Sequence, residues 1–211
     1  MSIRPVKTKS TARPAMEGAG VHLHRVFGFG DTKPFDPFLM MDDFRNDHPS
    51  QYKKGFPWHP HRGIETITYV LKGTVAHADS LGNFGDLSDG DIQWMTAGSG
   101  IIHQEMPKGD KNGHMHGFQL WANLPSAEKM TTPRYQDIKS KEIRVLEEDD
   151  GSKIKVIAGD YKGVKGIRKC GVLVKSDLNL DNTQGELPIS AVFYNDMLIG
   201  KSDYLKPLVE K

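Results

Sequence analysis

The stretch PWHPHRGIETITYVL, residues 57–71, decides the fold class of this 211-residue chain. Its second half, from Ile64 to Leu71, is rich in β-branched and aromatic residues, which favour strands. Gly73 ends this strand, because glycine adopts the backbone angles that turns require. The segment therefore predicts a buried strand that begins directly after two closely spaced histidines.

Similar short segments occur along the rest of the chain, separated by turn residues. The 22 Gly and 12 Pro residues are typical of a globular protein with many turns. The segment from Asp31 to Gly55 is interpreted as loop, and one helical turn, capped by Ser126, is the only helix predicted. The sequence predicts an all-β fold. Its further predicted strands are Val21–Phe27, Thr74–Asp79, Ile92–Thr96, Ile101–Met106, Phe118–Leu124, Ile143–Leu146, Ile154–Ala158, Val172–Leu180, Ile189–Tyr194 and Met197–Ile199.

Charge and composition exclude several classes of partner. The 28 basic side chains are balanced by 27 acidic ones, so no broad positive field exists to bind a nucleic acid directly or an acidic membrane surface. No apolar run approaches the length needed to cross a bilayer. A single cysteine, Cys170, fits a reducing compartment. We expect a cytoplasmic protein with no nucleic-acid or membrane partner.

The nine histidines lie between His22 and His116, and they include three pairs spaced two residues apart. In a strand, residues two apart face the same side, so any such pair could present two imidazoles to one metal ion. We expect the first pair to pack or to face solvent, because nothing around it indicates a site. For His116 of the last pair, a supporting role beside the pocket stays open. The pairs are His22/His24, His59/His61 and His114/His116.

The middle pair stands out because it leads into the most strand-prone segment of the chain. A rigid strand would fix the positions of His59 and His61. If the strand stays regular, Ile67, Tyr69 and Leu71 share the inward face with both histidines. The sequence therefore predicts an apolar lining around a metal site, which suits chemistry with dioxygen.

A second pair on one face follows about forty residues later, where His103 and Glu105 lie in the segment GIIHQE, residues 100–105. On neighbouring strands, the two pairs would bring four ligands to one point. Three neutral imidazoles and one carboxylate leave a divalent ion with open positions for a substrate and oxygen. The alternative is that both pairs lie on a barrel rim without a metal.

Three collinear segments resemble the pirin family of cupins: PWHPHRGIETITYVLKG (57–73), GDIQWMTAGSGIIHQEMP (90–107) and HGFQLWANLP (116–125), with PRYQDI (133–138) following. The resemblance implies a bicupin arrangement, that is, two barrels of the double-stranded β-helix or jelly-roll type. It also implies a mononuclear iron site in the N-terminal barrel. The activity that it implies, which some members of the family have, is oxidative cleavage of flavonols such as quercetin.

The resemblance implies particular ligands as well. Matched motif by motif, they are His59, His61, His103 and Glu105, and the metal is Fe(II), with nickel, manganese and zinc as alternatives. Glu65 occupies the place where many other cupins have their carboxylate ligand. The pirin pattern takes Glu105 instead, so we expect Glu65 to be a supporting or structural residue.

The second half of the chain departs from the pirin pattern. From Tyr161 onward the match is poor, and the sequence ends soon after Gly200. We therefore predict an N-terminal metal-binding cupin barrel at residues 1–135 and a partial C-terminal cupin-like unit at residues 136–211. Truncation, a divergent short form and a barrel completed in a homodimer are the open explanations for the incomplete second barrel.

The sequence supports three hypotheses about function. The first is a dioxygenase that binds a flavonol-like aromatic substrate and O2, with Glu105 as the catalytic acceptor of a substrate hydroxyl proton. The second is an iron-binding, redox-sensitive regulator that binds a partner protein without turnover. The third is a barrel that keeps its metal but lacks activity. An open apolar pocket above the ion would favour catalysis.

Overall fold

The structure is a computed structural model that describes residues 11–30, 32–149 and 151–167, and the backbone of residues 192–194 and 197–200. The chain divides into two compact units, one spanning Ser10–Ser140 and the other containing the described residues after Lys141. No helix in the described part is long and apolar enough to cross a membrane. The described helices are all short 3-10 turns, at Lys33–Phe35, Pro49–Gln51, Ser126–Glu128 and Ser140–Glu142.

The first unit is built from antiparallel strands. Glycines at positive φ in the turns between them, such as Gly73 at φ 90° and Gly82 at φ 84°, let the chain reverse within a few residues. The strands are β1 (Arg13–Glu17), β2 (Val21–Phe27), β3 (Phe38–Asp43), β4 (Phe56–His61), β5 (Ile64–Lys72), β6 (Val75–Asp79), β7 (Phe84–Leu87), β8 (Ile92–Thr96), β9 (Ile101–Pro107), β10 (His116–Asn123) and β11 (Arg134–Ile138).

These strands form two sheets that enclose a cavity. The larger sheet has the order β1-β2-β3-β10-β5-β8-β11, and the smaller has the order β4-β9-β6-β7. A hydrogen bond of 2.8 Å from Gln119 on β10 to Glu105 on β9 joins the inner faces of the two sheets. The sheets therefore pack face to face, as in a jelly roll, and their inward side chains surround the cavity.

An apolar cluster closes one part of this unit. Val21 and Leu23 on β2 alternate with exposed neighbours and pack with Val70, Val75 and Leu87. Each fully buried aliphatic side chain stabilises the fold by roughly 1.5–3 kcal/mol. The cluster thus holds strands of both sheets together.

The second unit is a smaller β structure. Ile154 and Val156 on its central described strand alternate inward and pack against Tyr161. Two antiparallel sheets are described, with the orders β12-β13-β16-β17 and β14-β15. The strands are β12 (Arg144–Glu147), β13 (Lys153–Val156), β14 (Asp160–Tyr161), β15 (Val164–Lys165), β16 (Val192–Tyr194) and β17 (Met197–Gly200). The predicted strand Val172–Leu180 and Cys170 lie outside the described residues.

The predicted all-β class is confirmed, and the strand predicted at Val21–Phe27 has those same bounds as β2. The loop predicted between Asp31 and Gly55 is wrong in part, because Phe38–Asp43 forms β3. Prolines and acidic residues around this segment weaken the strand pattern in its sequence. Pairing with β2 and β10 on either side stabilises the strand.

One smaller prediction also differs from the structure. The helical turn at Ser126–Glu128 is a 3-10 turn whose N-cap position is Pro125, so Ser126 is not its cap. Strand β11 pairs with β8 in the larger sheet, and the first compact unit extends to Ser140.

Candidate metal centre

The pairing of β4 with β9 brings the two predicted ligand pairs together. In this antiparallel register, His59 lies opposite His103 and His61 lies opposite Ile101. Residues two apart in a strand face the same side, so His59, His61, His103 and Glu105 all point into the space between the sheets. Alternation keeps each pair on one face of its strand, and the pairing of β4 with β9 sets the two pairs side by side.

The three imidazoles form a tight cluster. Each of His59, His61 and His103 offers a ring nitrogen, and these nitrogens lie within 4.8 Å of one another. The Nε2 atoms of His59 and His61 are 3.1 Å apart. The rings of His59 and His103 have centroids 4.4 Å apart, so the cluster has the size of a metal coordination site.

The hydrogen bonds of His59 indicate which of its nitrogens is available. Its Nδ1 lies 2.8 Å from the backbone carbonyl oxygen of Pro57. A carbonyl only accepts, so Nδ1 must carry the proton, and Nε2, which lies 3.1 Å from Nε2 of His61, keeps a lone pair that could bind a cation. This is the arrangement that orients a metal-binding imidazole.

His103 supports the same interpretation. Its side chain is fully buried, and neither ring nitrogen has a hydrogen-bond partner among the described residues. Leaving such a buried polar group unsatisfied costs about 1–3 kcal/mol, which a bound metal ion would offset. Burial, and repulsion from His59 and His77, lower the pKa of His103 to about 3. Burial, with repulsion from His103 and His59, lowers the pKa of His61 to about 4.

These pKa values mean that His61 and His103 are neutral at neutral pH, and neutral imidazole is the form that binds metals. The donor set of three imidazoles therefore fits a divalent metal ion.

Glu105 lies beside the imidazole cluster. Its side chain is 4% exposed, and its Oε2 is 3.9 Å from Nε2 of His103. The group of ligand atoms within 4.8 Å of one another contains the three histidines and does not include Glu105. Burial raises the pKa of Glu105, and the nearby His59, His77 and His61 oppose this effect.

A cavity of about 430 Å³ opens above the cluster. Phe29 and Trp58, which line it, are 69% and 54% exposed, so the cavity communicates with solvent. Its walls combine aromatic and methionine side chains with a few polar groups, the composition of a small-molecule site. Its lining includes Phe29, Met40, Phe44, Phe56, Trp58, His59, His61, Thr68, Glu105, Met115, Gln119 and Trp121.

The lining predicted from a regular strand, Ile67, Tyr69 and Leu71, is wrong, since none of the three contributes to the cavity. Gly63, at φ 68°, turns the chain between β4 and β5, which belong to different sheets. Because of this turn, it is Thr68 of β5 that faces the cavity.

A charged group on the cavity wall is missed by the sequence analysis. Arg25 on β2 donates from Nε and Nη2 to the two carboxylate oxygens of Asp42, at 2.9 and 2.8 Å. Its Nη1 lies 2.9 Å from Glu17, and its guanidinium carbon is 4.7 Å from the centre of the Phe29 ring. Asp42 and Glu17 lie on strands that the sequence did not reveal, so no signal pointed to this cluster.

A second missed group lies behind His103. The buried His77 on β6 has its Nε2 3.3 Å from Asp79, and its ring stacks on Tyr135 with centroids 4.6 Å apart. The His77 and His103 rings are 5.5 Å apart. Alternation could have placed His77 and Asp79 on one face of β6, but not their position next to His103.

The other predicted candidates lie away from the cluster. Glu65 is buried and accepts a hydrogen bond of 2.6 Å from Thr96, with Arg134 at 4.0 Å. His22 and His24 are exposed, as expected. The His116 ring contacts Phe118, with centroids 5.7 Å apart, and it does not line the cavity.

Residues 20–122 match the pirin family. A pirin-like protein from Caulobacter vibrioides is 50% identical over 159 residues, which are 75% of this chain and 57% of that protein. The chain thus spans little more than half the length of this curated relative.

Two solved structures are also similar. One is a quercetin 2,3-dioxygenase from Acinetobacter baumannii, a cupin-fold protein, with 32% identity and a TM-score of 0.67, covering 85% of this chain and 60% of that one. The other is a bacterial pirin from Escherichia coli in complex with nickel(II), with 25% identity and a TM-score of 0.50, covering 71% of this chain and 69% of that one. The first unit is therefore a cupin-type barrel.

Proposed function

We propose that this chain, whose residues 20–122 match the pirin family, is a metal-dependent dioxygenase that cleaves flavonols such as quercetin with O2. One observation carries the proposal. Three convergent imidazoles and a buried carboxylate lie at the base of an open, largely apolar cavity. The similarity to a solved quercetin 2,3-dioxygenase supports the choice of substrate class.

The proposed ligands are His59, His61, His103 and Glu105, and the proposed metal is Fe(II), although the same ligands would accept nickel, manganese or zinc. Three neutral imidazoles and one carboxylate would reduce the charge of a divalent ion to about +1. A bound ferrous ion would supply a Lewis acid for the substrate oxygens and would pass electrons from the flavonol, which is oxidised, to dioxygen, which is reduced.

The side chains of the cavity would bind and orient the substrate. The Trp121 ring meets His61 edge-on at a centroid distance of 5.0 Å and forms part of the wall next to the metal site. Aromatic side chains such as Trp121, Phe29 and Trp58 favour a planar aromatic molecule and displace water from it. Glu105, whose pKa is raised by burial, would accept the proton of a substrate hydroxyl when it loosens from the metal.

A second candidate function is a redox-sensitive regulator that binds a partner protein. Exposed large apolar side chains favour it, because two of them lie on strands of the smaller sheet, which also holds the proposed ligands, and a third lies in the turn between β6 and β7. Ile102 is 48%, Leu81 52% and Phe84 85% exposed. Exposed apolar groups of this kind often mark protein contacts.

Oxygen uptake after anaerobic loading with Fe(II) tests the proposal. The loaded protein should consume O2 with quercetin, and it should not do so with a flavone that lacks the 3-hydroxyl group. The metal-free protein should be inactive with both compounds. Tight iron binding without uptake on any flavonol in a panel would reject the dioxygenase and favour the regulator.

A further inference from the structure

Glu105 has a defined hydrogen-bond partner on the opposite sheet. Gln119 on β10 donates from Nε2 to Oε1 of Glu105 at 2.8 Å and to Oγ1 of Thr68 at 3.3 Å. The Gln119 side-chain carbonyl accepts a hydrogen bond of 3.0 Å from the indole Nε1 of Trp121. Gln119 and Trp121 are two residues apart on β10, so both face the cavity.

The chemistry of the indole sets the orientation of the Gln119 amide. An indole N–H can only donate, so the amide oxygen must point towards Trp121. The amide NH₂ must then point towards Glu105, and it can donate only to an oxygen that has a free lone pair. The hydrogen bond from Trp121 therefore makes Gln119 direct its NH₂ group, and not its oxygen, towards Glu105.

We propose that Gln119, oriented by Trp121, is a positioning residue that occupies Oε1 of Glu105 and leaves Oε2 as the oxygen available to the metal. The inference rests on the proposed function in one respect, which is that Glu105 is a ligand. Oε2 is the carboxylate oxygen near the histidines, at 3.9 Å from Nε2 of His103. A hydrogen-bonded carboxylate of this kind is held in one orientation, which favours binding through a single oxygen.

The series of hydrogen bonds from Trp121 through Gln119 to Glu105, here called the relay, also connects the cavity to the metal site. The Trp121 ring contacts His61 at 5.0 Å and the exposed Phe29 at 6.3 Å between centroids. An aromatic molecule in the cavity would pack against Trp121 and would thereby act on Gln119 and Glu105. Occupancy of the cavity and the freedom of the proposed carboxylate ligand are in this way coupled.

Three variants test the relay with Co(II) as the probe. Trp121→Phe removes the N–H group and keeps an aromatic ring, while Gln119→Leu removes all three hydrogen bonds of the amide. Thr68→Val, which keeps the shape and loses the longer 3.3 Å contact with Gln119 together with a 3.5 Å contact with Gln93, is the matched control. Folding of each variant is checked by circular dichroism and thermal melting.

Co(II) affinity and the visible absorption spectrum of bound Co(II) are the readouts. We expect Trp121→Phe and Gln119→Leu to weaken Co(II) binding about tenfold or more, as loss of a ligand's hydrogen-bond partner does. We also expect both to change the absorption bands, because the carboxylate can then bind through two oxygens. Thr68→Val should stay within about twofold of wild type, as a weaker contact is lost.

The proposal is overturned if Trp121→Phe folds and has the Co(II) affinity and the Co(II) absorption spectrum of wild type. This holds even if Gln119→Leu fails to fold. Equal effects of Gln119→Leu and Thr68→Val would overturn it as well. If the wild-type protein does not bind Co(II), the proposed metal site is itself wrong and the relay falls with it. The last outcome separates failure of the proposed function from failure of this inference.

Discussion

His103 is the residue on which the candidate site depends most directly. It is fully buried, and neither ring nitrogen has a hydrogen-bond partner among the described residues. His59 has a tautomer fixed by the carbonyl of Pro57, which leaves a lone pair on its Nε2. Together these side chains present lone pairs to one point, and a cation is the simplest partner for them.

His103→Ala should abolish tight binding of one divalent ion per chain, because it removes the central ligand of the cluster. His24→Ala is the matched control, since His24 is an exposed histidine on β2, and it should bind metal like wild type. Isothermal titration with Fe(II) under anaerobic conditions measures both. Unchanged binding by folded His103→Ala would contradict the assignment.

Glu105→Gln tests the role of the carboxylate in turnover. Gln has nearly the same shape but cannot accept the hydroxyl proton of a substrate. We expect the turnover rate with quercetin to fall by about 10² or more, while iron affinity falls less. Parallel loss of iron affinity and turnover would show that Glu105 serves only to hold the metal.

Tyr135, stacked on His77, gives a pH-dependent prediction. Burial and the nearby Asp137 raise the pKa of Tyr135 to about 12, above the value of about 10 in an unfolded chain. The unfolded state therefore loses this proton first, and stability falls as the pH rises through this range.

Between about pH 9 and about pH 11, the free energy of unfolding of wild type should therefore fall more steeply than that of Tyr135→Phe. Urea unfolding at both pH values measures the difference. Equal slopes would contradict the raised pKa. An absorbance titration of the tyrosines, in which the variant lacks one late-ionising group, is a second check.

At the residue scale, the sequence predicted what alternation along one strand can reveal. His59 and His61, and then His103 and Glu105, lie two apart on single strands. Gln119 and Arg25 were missed, because their partners, Glu105 and Asp42, lie on other strands. Contacts across sheets depend on register and packing, and periodicity in one segment does not report them.

At the element scale, the β4–β9 pair carries the site, and a glycine before β4 lets the two strands approach. Gly55 has φ 62°, and a Cβ atom there would lie 2.6 Å from the backbone oxygen of Glu105. The turn at Gly63, which sends β4 and β5 into different sheets, was not predicted. A glycine in a strand-prone segment signals a turn or a bulge equally well.

Gly55→Ala should destabilise the protein by about 1–3 kcal/mol from backbone strain alone, and by more from the contact with Glu105. It should also weaken metal binding. Gly82→Ala is the matched control, because Gly82 has φ 84° but an added Cβ atom there would meet nothing within 4 Å. Urea unfolding of both variants measures the difference, and equal destabilisation would show that the approach to Glu105 is unimportant.

At the scale of the whole molecule, the all-β class followed from short strand-prone segments between turn residues, and the cupin-type barrel of the first unit followed from three collinear motifs. The first unit extends to Ser140 and includes β11, whose pairing with β8 is not reported by periodicity in one segment. The partial cupin-like unit at residues 136–211 stays a prediction. The chain spans 57% of the length of the Caulobacter relative.

Anomalous diffraction at the iron absorption edge, from crystals grown anaerobically with Fe(II), is the decisive test of the four-ligand metal site. We expect one strong peak at bonding distance from the Nε2 atoms of His59 and His61, a ring nitrogen of His103 and one carboxylate oxygen of Glu105. No peak at this point, or a peak coordinated by Glu65 in place of Glu105, would show that the site is wrongly assigned.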